Sequence, residues 1–121
     1  MTPPTFSTVG IVGTGAMGRG IAQIAAQAGS TVLLFDTQAQ AIAKASESIA
    51  AQWDKLVEKG RLSPDGAATQ KARLKSAAAL ADLAACDLVV EAIVERLDVK
   101  KALFAELEGI VQPGAVLATN T

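Results

Sequence analysis

Residues 9 to 29 read VGIVGTGAMGRGIAQIAAQAG, and Gly13, Gly15 and Gly18 within them keep the spacing G-x-G-x-x-G between an apolar run and an alanine-rich periodic run. No other stretch restricts so strongly what the chain can become. A strand that ends in such a turn and passes straight into a helix leaves the first N–H groups of that helix bare. They lie at the positive end of its dipole, which makes an anion site. Each glycine has its own reason to be there. Gly13 makes the tight turn off the strand, Gly15 lets a pyrophosphate approach the backbone, and Gly18 lets the helix pack close to the strand.

The rest of the chain alternates strand and helix signals. Residues 8 to 12, TVGIV, predict a short buried strand. Residues 17 to 28 predict a helix with Ile21, Ile24, Ala25 and Ala28 on one face, ended by Gly29. TVLLFD at 31 to 36 predicts a second strand. A long helix over 38 to 59 carries Ile42, Ala45, Ile49, Trp53 and Leu56 along one stripe and stops at Gly60. Ser63 as N-cap with Pro64 at the first helical position predicts a separate helix. A short strand near 74 to 77 and a helical turn near 80 to 85 precede DLVVEAI at 87 to 93, the third clear strand. A helix over 98 to 110 follows, with Val99, Leu103, Leu107 and Ile110 inward, before Pro113-Gly114 turns the chain into AVLATN at 115 to 120. Alternation of this kind implies parallel pairing through right-handed crossovers. The expected fold is therefore α/β, doubly wound and Rossmann-type, a mostly parallel sheet with helices on both faces. Half of the 121 residues are apolar and neither repeat nor linker interrupts them, so residues 1–121 are expected to form one domain.

In this context the glycines gain a partner. Asp36 ends the second strand, 23 residues beyond Gly13, where a ribose-binding acid belongs. It can accept hydrogen bonds from both adenosine ribose hydroxyls and repels a 2′-phosphate, and the following TQAQ contains no Arg to reverse that preference. NAD is therefore favoured over NADP. The glycine pattern is shared by FAD-binding domains and does not by itself separate the two dinucleotides.

Composition removes other chemistries. Histidine and tyrosine are absent and Cys86 is the only cysteine, so no imidazole base, imidazole metal site, thiolate zinc cluster or internal disulfide is expected. Cys86 sits in AACDLVV and reads as a small buried apolar residue. A net charge of -1 with scattered Lys, Arg, Asp and Glu leaves no basic face for nucleic acid or for an anionic membrane. MTPPTFS has neither a charged nor an apolar targeting region, and no stretch reaches membrane-spanning length, so a cytoplasmic location is expected.

GTGAMGRGIAQIAAQAG, DLVVEAIVERLDVKKALFAELE and the terminal ATNT together resemble the N-terminal NAD-binding domain of 3-hydroxyacyl-CoA dehydrogenases, from about residue 8 to the end of the chain. The resemblance implies an oxidoreductase that interconverts 3-hydroxyacyl-CoA and 3-oxoacyl-CoA with NAD. It implies that Gly13, Gly15, Ala16, Met17 and Gly18 lie on the pyrophosphate and Asp36 on the adenosine ribose. Glu95 and Lys100, the second acid of EAIVE and the first lysine of VKK, would lie by the nicotinamide half. Ile93, Val94 and Asn120 would complete the cofactor site, Asn120 through the strand-end motif. Lys59 would meet the CoA part of an acyl-CoA substrate, although a lysine at a helix C-terminus also simply complements the dipole. Lys100, in a first helical turn, reads equally as a solvated position, and Glu91, inside its strand, reads as a structural residue paired elsewhere. Gln52 stands where some family members place a serine for CoA.

The family continues NTSS, later supplies a His–Glu pair and an Asn for the proton chemistry, and adds a helical domain that commonly makes a homodimer. This sequence stops at Thr121. The expectation is a domain that binds NAD without turnover and holds no catalytic residue of its own. A stand-alone NAD-sensing module, or the NAD domain of another hydroxy-acid dehydrogenase, are the alternative readings.

Overall fold

The computed structural model describes residues 6–93 and 97–119. Five strands, β1 (Thr8–Val12), β2 (Thr31–Phe35), β3 (Leu74–Ser76), β4 (Leu88–Glu91) and β5 (Val116–Thr119), form one sheet in the order β3-β2-β1-β4-β5, every neighbouring pair parallel. The helices are α1 (Ala16–Gln27), α2 (Ala39–Glu58), α3 (Pro64–Arg73) and α4 (Leu97–Ile110), with a 3-10 turn at Leu80–Leu83. Strand order reverses between β1 and β4, and the crevice beyond the carboxyl ends at such a switch is where open α/β sheets bind ligands.

Helices cover both faces of the sheet. On one face α1, α2 and α3 pack a core of Ile11, Val32, Leu34, Ile42, Ile49 and the fully buried Trp53. Opposite, Leu83, Cys86, Val89 and Leu107 join Val12 and Ala77 beneath α4. The stripe expected on α2 is the observed one: Ile42, Ala45, Ile49 and Trp53 are buried and Leu56 packs against them. Ser63 caps α3 as its sequence predicts, its Oγ accepting the N–H of Gly66 at 2.9 Å, with Pro64 opening the helix.

Two expectations are corrected. Helix α1 buries Gly18, Ala22 and Ala26 most deeply; Ile21 and Ala25 are only half-buried against that core, Ala28 is exposed and Ile24 is 68% exposed. A helix drawn tightly onto its strand at Gly18 presents its smallest residues along the contact, and the isoleucines flank it. Ile21, Ile24 and Ala25 line a shallow apolar groove with Phe6, Val9 and Leu88 instead. The strand expected over 87–93 is also shorter, because the backbone leaves the ladder after Ala92, whose N–H still reaches Val12 O at 2.9 Å. The next N–H, that of Ile93, turns to the carboxylate of Glu91 at 2.6 Å. The other boundaries agree with expectation to within two residues, the helical turn expected near 80–85 being observed at Leu80–Leu83; the side chain of Val99 lies outside those described.

The start of β1 is tied to the residue that leads into β4. Asp87 accepts the N–H of Ser7 and of Thr8, each at 2.9 Å. Its burial pushes the carboxyl up, but these N–H groups outweigh it and hold the group below the usual carboxylate range. Among the described residues no helix is long and apolar enough to cross a membrane.

Candidate functional site

Gly13 leaves β1 with φ +100, a conformation that side chains rarely adopt, and its N–H stays in the sheet by donating to Phe35 O at 2.9 Å. A Cβ at Gly13 would stand 2.8 Å from Cγ2 of Ile93. Gly18 faces inward, and a Cβ there would stand 1.9 Å from Gly13 O. Gly15 is different: it is exposed, caps α1 with extended backbone, and a Cβ there would meet nothing within 4 Å. The open side of the turn thus lies at the helix N-terminus, and no acidic side chain in the first turn of α1 competes with an arriving anion. Ala16 and Met17 form the exposed start of the same helix, with Met17 56% exposed.

Asp36 follows β2 and reaches back to this turn. Its Oδ2 accepts both the N–H and the hydroxyl of Thr14 at 2.9 Å, and Oδ1 accepts the N–H of Gln38 at 3.0 Å. The in-register pair Val12 and Phe35 sets residues 14 and 36 side by side just beyond the sheet edge. Burial pushes the Asp36 carboxyl up, yet the N–H groups of Thr14 and Gln38 and the Thr14 hydroxyl together hold it below the usual range. It is therefore a carboxylate at neutral pH. Three hydrogen bonds leave part of its acceptor capacity for a ligand hydroxyl. Beside it opens a cleft of about 320 Å³ walled by Gly13, Phe35, Leu80, Ile93 and Leu103, apolar except for Asp36, Thr37 and Glu106.

On the other side of β1 the carboxyl ends of β4 and β5 hold a buried polar cluster. Glu91, with no exposed surface, accepts the Ile93 N–H and the Thr119 hydroxyl, each at 2.6 Å, and Lys100 Nζ lies 3.4 Å from its Oε1. The alternative reading of Lys100 as a solvated first-turn lysine is overturned: it is 7% exposed and paired with Glu91. Lys59 is the exposed C-cap of α2, and Gln52 is exposed on the same helix. Val94, Glu95 and Asn120 lie outside the described residues. Cys86 is buried against the β1 backbone, its thiol pushed up to about 11 by burial and the neighbouring Asp87 charge. No cluster of three or more His, Cys, Asp or Glu side chains suited to a metal occurs among the described residues.

Sequence reasoning placed Gly13 and Ile93 at the cofactor, but it missed Thr14 and Thr119 and the cleft walls Phe35, Leu80 and Leu103. Thr14 occupies a variable place in the glycine motif, and its link to Asp36 exists only because β1 and β2 are in register. The one available signal was its position between two required glycines, where the side chain must leave the turn on the side of the second strand.

Comparison with known proteins follows the geometry. Residues 8–121 match the family model described as 3-hydroxyacyl-CoA dehydrogenase, NAD binding domain. The 3-hydroxyadipyl-CoA dehydrogenase of Escherichia coli K12 is 44% identical over 114 residues, covering 94% of this chain and 24% of that protein. A probable 3-hydroxybutyryl-CoA dehydrogenase of Deinococcus radiodurans is 44% identical over 112 residues, covering 93% of this chain and 40% of the relative. The crystal structure of 3-hydroxybutyryl-CoA dehydrogenase from E. coli K12 superposes with a TM-score of 0.93 at 43% identity, over 97% of this chain and 25% of that one. The chain thus spans between a quarter and two fifths of the length of these relatives.

Proposed function

The chain belongs to the family of 3-hydroxyacyl-CoA dehydrogenase NAD-binding domains and its cofactor is NAD; on that premise we propose that it is the cofactor-holding part of an oxidoreductase that interconverts 3-hydroxyacyl-CoA and 3-oxoacyl-CoA. The observation that carries the reading is the open Gly15 at the start of α1, with the ionised Asp36 latched beside it by Thr14. That pairing suits a pyrophosphate on the helix N-terminus and a ribose on the carboxylate. The apolar cleft walled by Phe35, Leu80 and Leu103 suits an adenine ring, and the second nucleotide then falls across β1 toward the ends of β4 and β5.

When bound, NAD supplies the hydride acceptor for the carbon that bears the 3-hydroxyl. The residues of this chain hold and orient it: Gly13 to Gly18 and the first turn of α1 at the pyrophosphate, Asp36 at the ribose, and Ile93, Val94, Glu95, Lys100 and Asn120 toward the nicotinamide half. Lys59, exposed at the end of α2, is assigned to a CoA phosphate of the acyl-CoA substrate. The parent enzyme works as a homodimer. These 121 residues by themselves contain no histidine or tyrosine to take the hydroxyl proton, so they bind cofactor without turnover.

Isothermal calorimetry tests the reading. The chain should bind NADH at least about tenfold more tightly than NADPH, because the 2′-phosphate meets the Asp36 carboxylate at close range. Asp36→Ala should narrow that difference by relieving NADPH. Equal affinities in the unaltered chain would refute the assignment of Asp36 to the ribose, and absence of NADH binding would refute the site.

A further inference from the structure

A carboxylate with no exposed surface persists only where neighbours hold its charge, and three groups from three elements do so at Glu91. The Ile93 N–H comes from the turn after β4, the Thr119 hydroxyl from the end of β5, and the Lys100 ammonium from the first turn of α4. In the sheet Glu91 is in register with Val12 on one side and Thr119 on the other. It therefore stands beside the residue that leads into the glycine turn. Ile93, whose N–H it fixes, walls the same cleft as Gly13. A dinucleotide with its pyrophosphate on α1 and its adenosine over β2 must carry its other nucleotide over β4 and β5. The pair lies beneath that half.

The nicotinamide ring is cationic in NAD+ and neutral in NADH, so the net charge beneath it changes the relative affinity for the two redox forms. Glu91 and Lys100 cancel each other. We propose that Glu91 is a positioning residue that fixes the Ile93 backbone and neutralises Lys100, and that this buried pair, by adding no net charge of its own beneath the nicotinamide half, tunes the ratio of NAD+ to NADH affinity. The inference rests on the dinucleotide reading above and assigns to Glu91 a role distinct from packing. Loss of packing alone would weaken both redox forms together, whereas loss of one charge moves them apart in a direction fixed by its sign.

The experiment measures dissociation constants of NAD+, NADH and ADP-ribose for the full 121-residue chain, Glu91→Gln, Lys100→Met and the double variant. Circular dichroism checks that each is folded. Glu91→Gln leaves a positive charge and should raise Kd(NAD+)/Kd(NADH) several-fold, because an uncompensated cation disfavours the cationic ring more than the neutral one. Lys100→Met should lower the ratio by a similar factor, and the double variant should return it to within about twofold of the unaltered chain. If Glu91→Gln does not fold, the downward shift in Lys100→Met carries the test alone. ADP-ribose, which lacks the ring, should bind Glu91→Gln as it binds the unaltered chain, whereas Lys100→Met removes a residue assigned to the cofactor and is judged by its ratio alone. An unchanged ratio, or shifts of the same sign in both single variants, with ADP-ribose binding intact, would overturn the proposal and leave the dinucleotide site standing. Failure of the unaltered chain to bind ADP-ribose would overturn the dinucleotide reading, and the proposal with it.

Discussion

Gly15 and Gly18 are glycines for opposite reasons, and the difference separates binding from folding. A side chain at Gly18 would be driven into the carbonyl of Gly13, whereas one at Gly15 would project into open space. Gly15→Val should therefore keep helical circular dichroism and lose NADH binding, because the added methyls occupy the approach to the backbone. Gly18→Val should cost about 3 kcal/mol or more of stability by overpacking, read from urea denaturation. A Gly15→Val chain that still binds NADH would place the pyrophosphate elsewhere. The sequence spacing already separated these roles, since each glycine answers a constraint local to one turn. Thr14 was not legible in the same way. Its two hydrogen bonds to Asp36 depend on the register of β1 with β2, which no local pattern encodes.

At the scale of elements, strand and helix positions followed from periodicity, and the inner face of α1 did not. Apolar bulk marks the buried face of α2, where Ile42, Ile49 and Trp53 fill the space over the sheet. On α1 the close approach at Gly18 makes small size the requirement, so Gly18, Ala22 and Ala26 are inside and Ile24 is out. Ala22→Leu should accordingly destabilise by about 1–3 kcal/mol. Ile24→Gln should change urea stability by less than about 0.5 kcal/mol. The reverse order would restore the face expected from hydrophobicity. The tie between the chain start and β4 predicts a pH dependence. The Asp87 pKa is lowered on folding, so its contribution to stability is present above the unfolded carboxylate value of about 3.9 and is lost as pH falls through the lower folded value. Asp87→Asn should lower stability at neutral pH and flatten the acid limb of the stability curve below about pH 4, measured by thermal unfolding across pH. An unchanged acid limb would show that the Ser7 and Thr8 bonds contribute nothing.

For the whole molecule, the doubly wound architecture was legible because alternating strand and helix signals admit few parallel arrangements. The Glu91 cluster was not, since it joins β4, β5 and α4 and exists only once the sheet has closed; the sequence showed Glu91 merely as an acid inside a strand. The position of β1 has a further consequence, for the order of assembly. This strand pairs with β2 through contacts such as Thr8 with Thr31, and with β4 through contacts such as Val9 with Leu88. Closing the longer loop costs about 1 kcal/mol more in chain entropy. The β1–α1–β2 unit, which carries the glycine turn and Asp36, should therefore gain protection first during refolding, and pulse-labelled hydrogen exchange should find β2 amides shielded before those of β4. Simultaneous protection of both strands would remove that order. As a nascent chain leaves the ribosome, the same arithmetic gives β1 one bare edge until residue 88 emerges, and for that interval the half proposed to hold adenosine exists before the half proposed to hold nicotinamide.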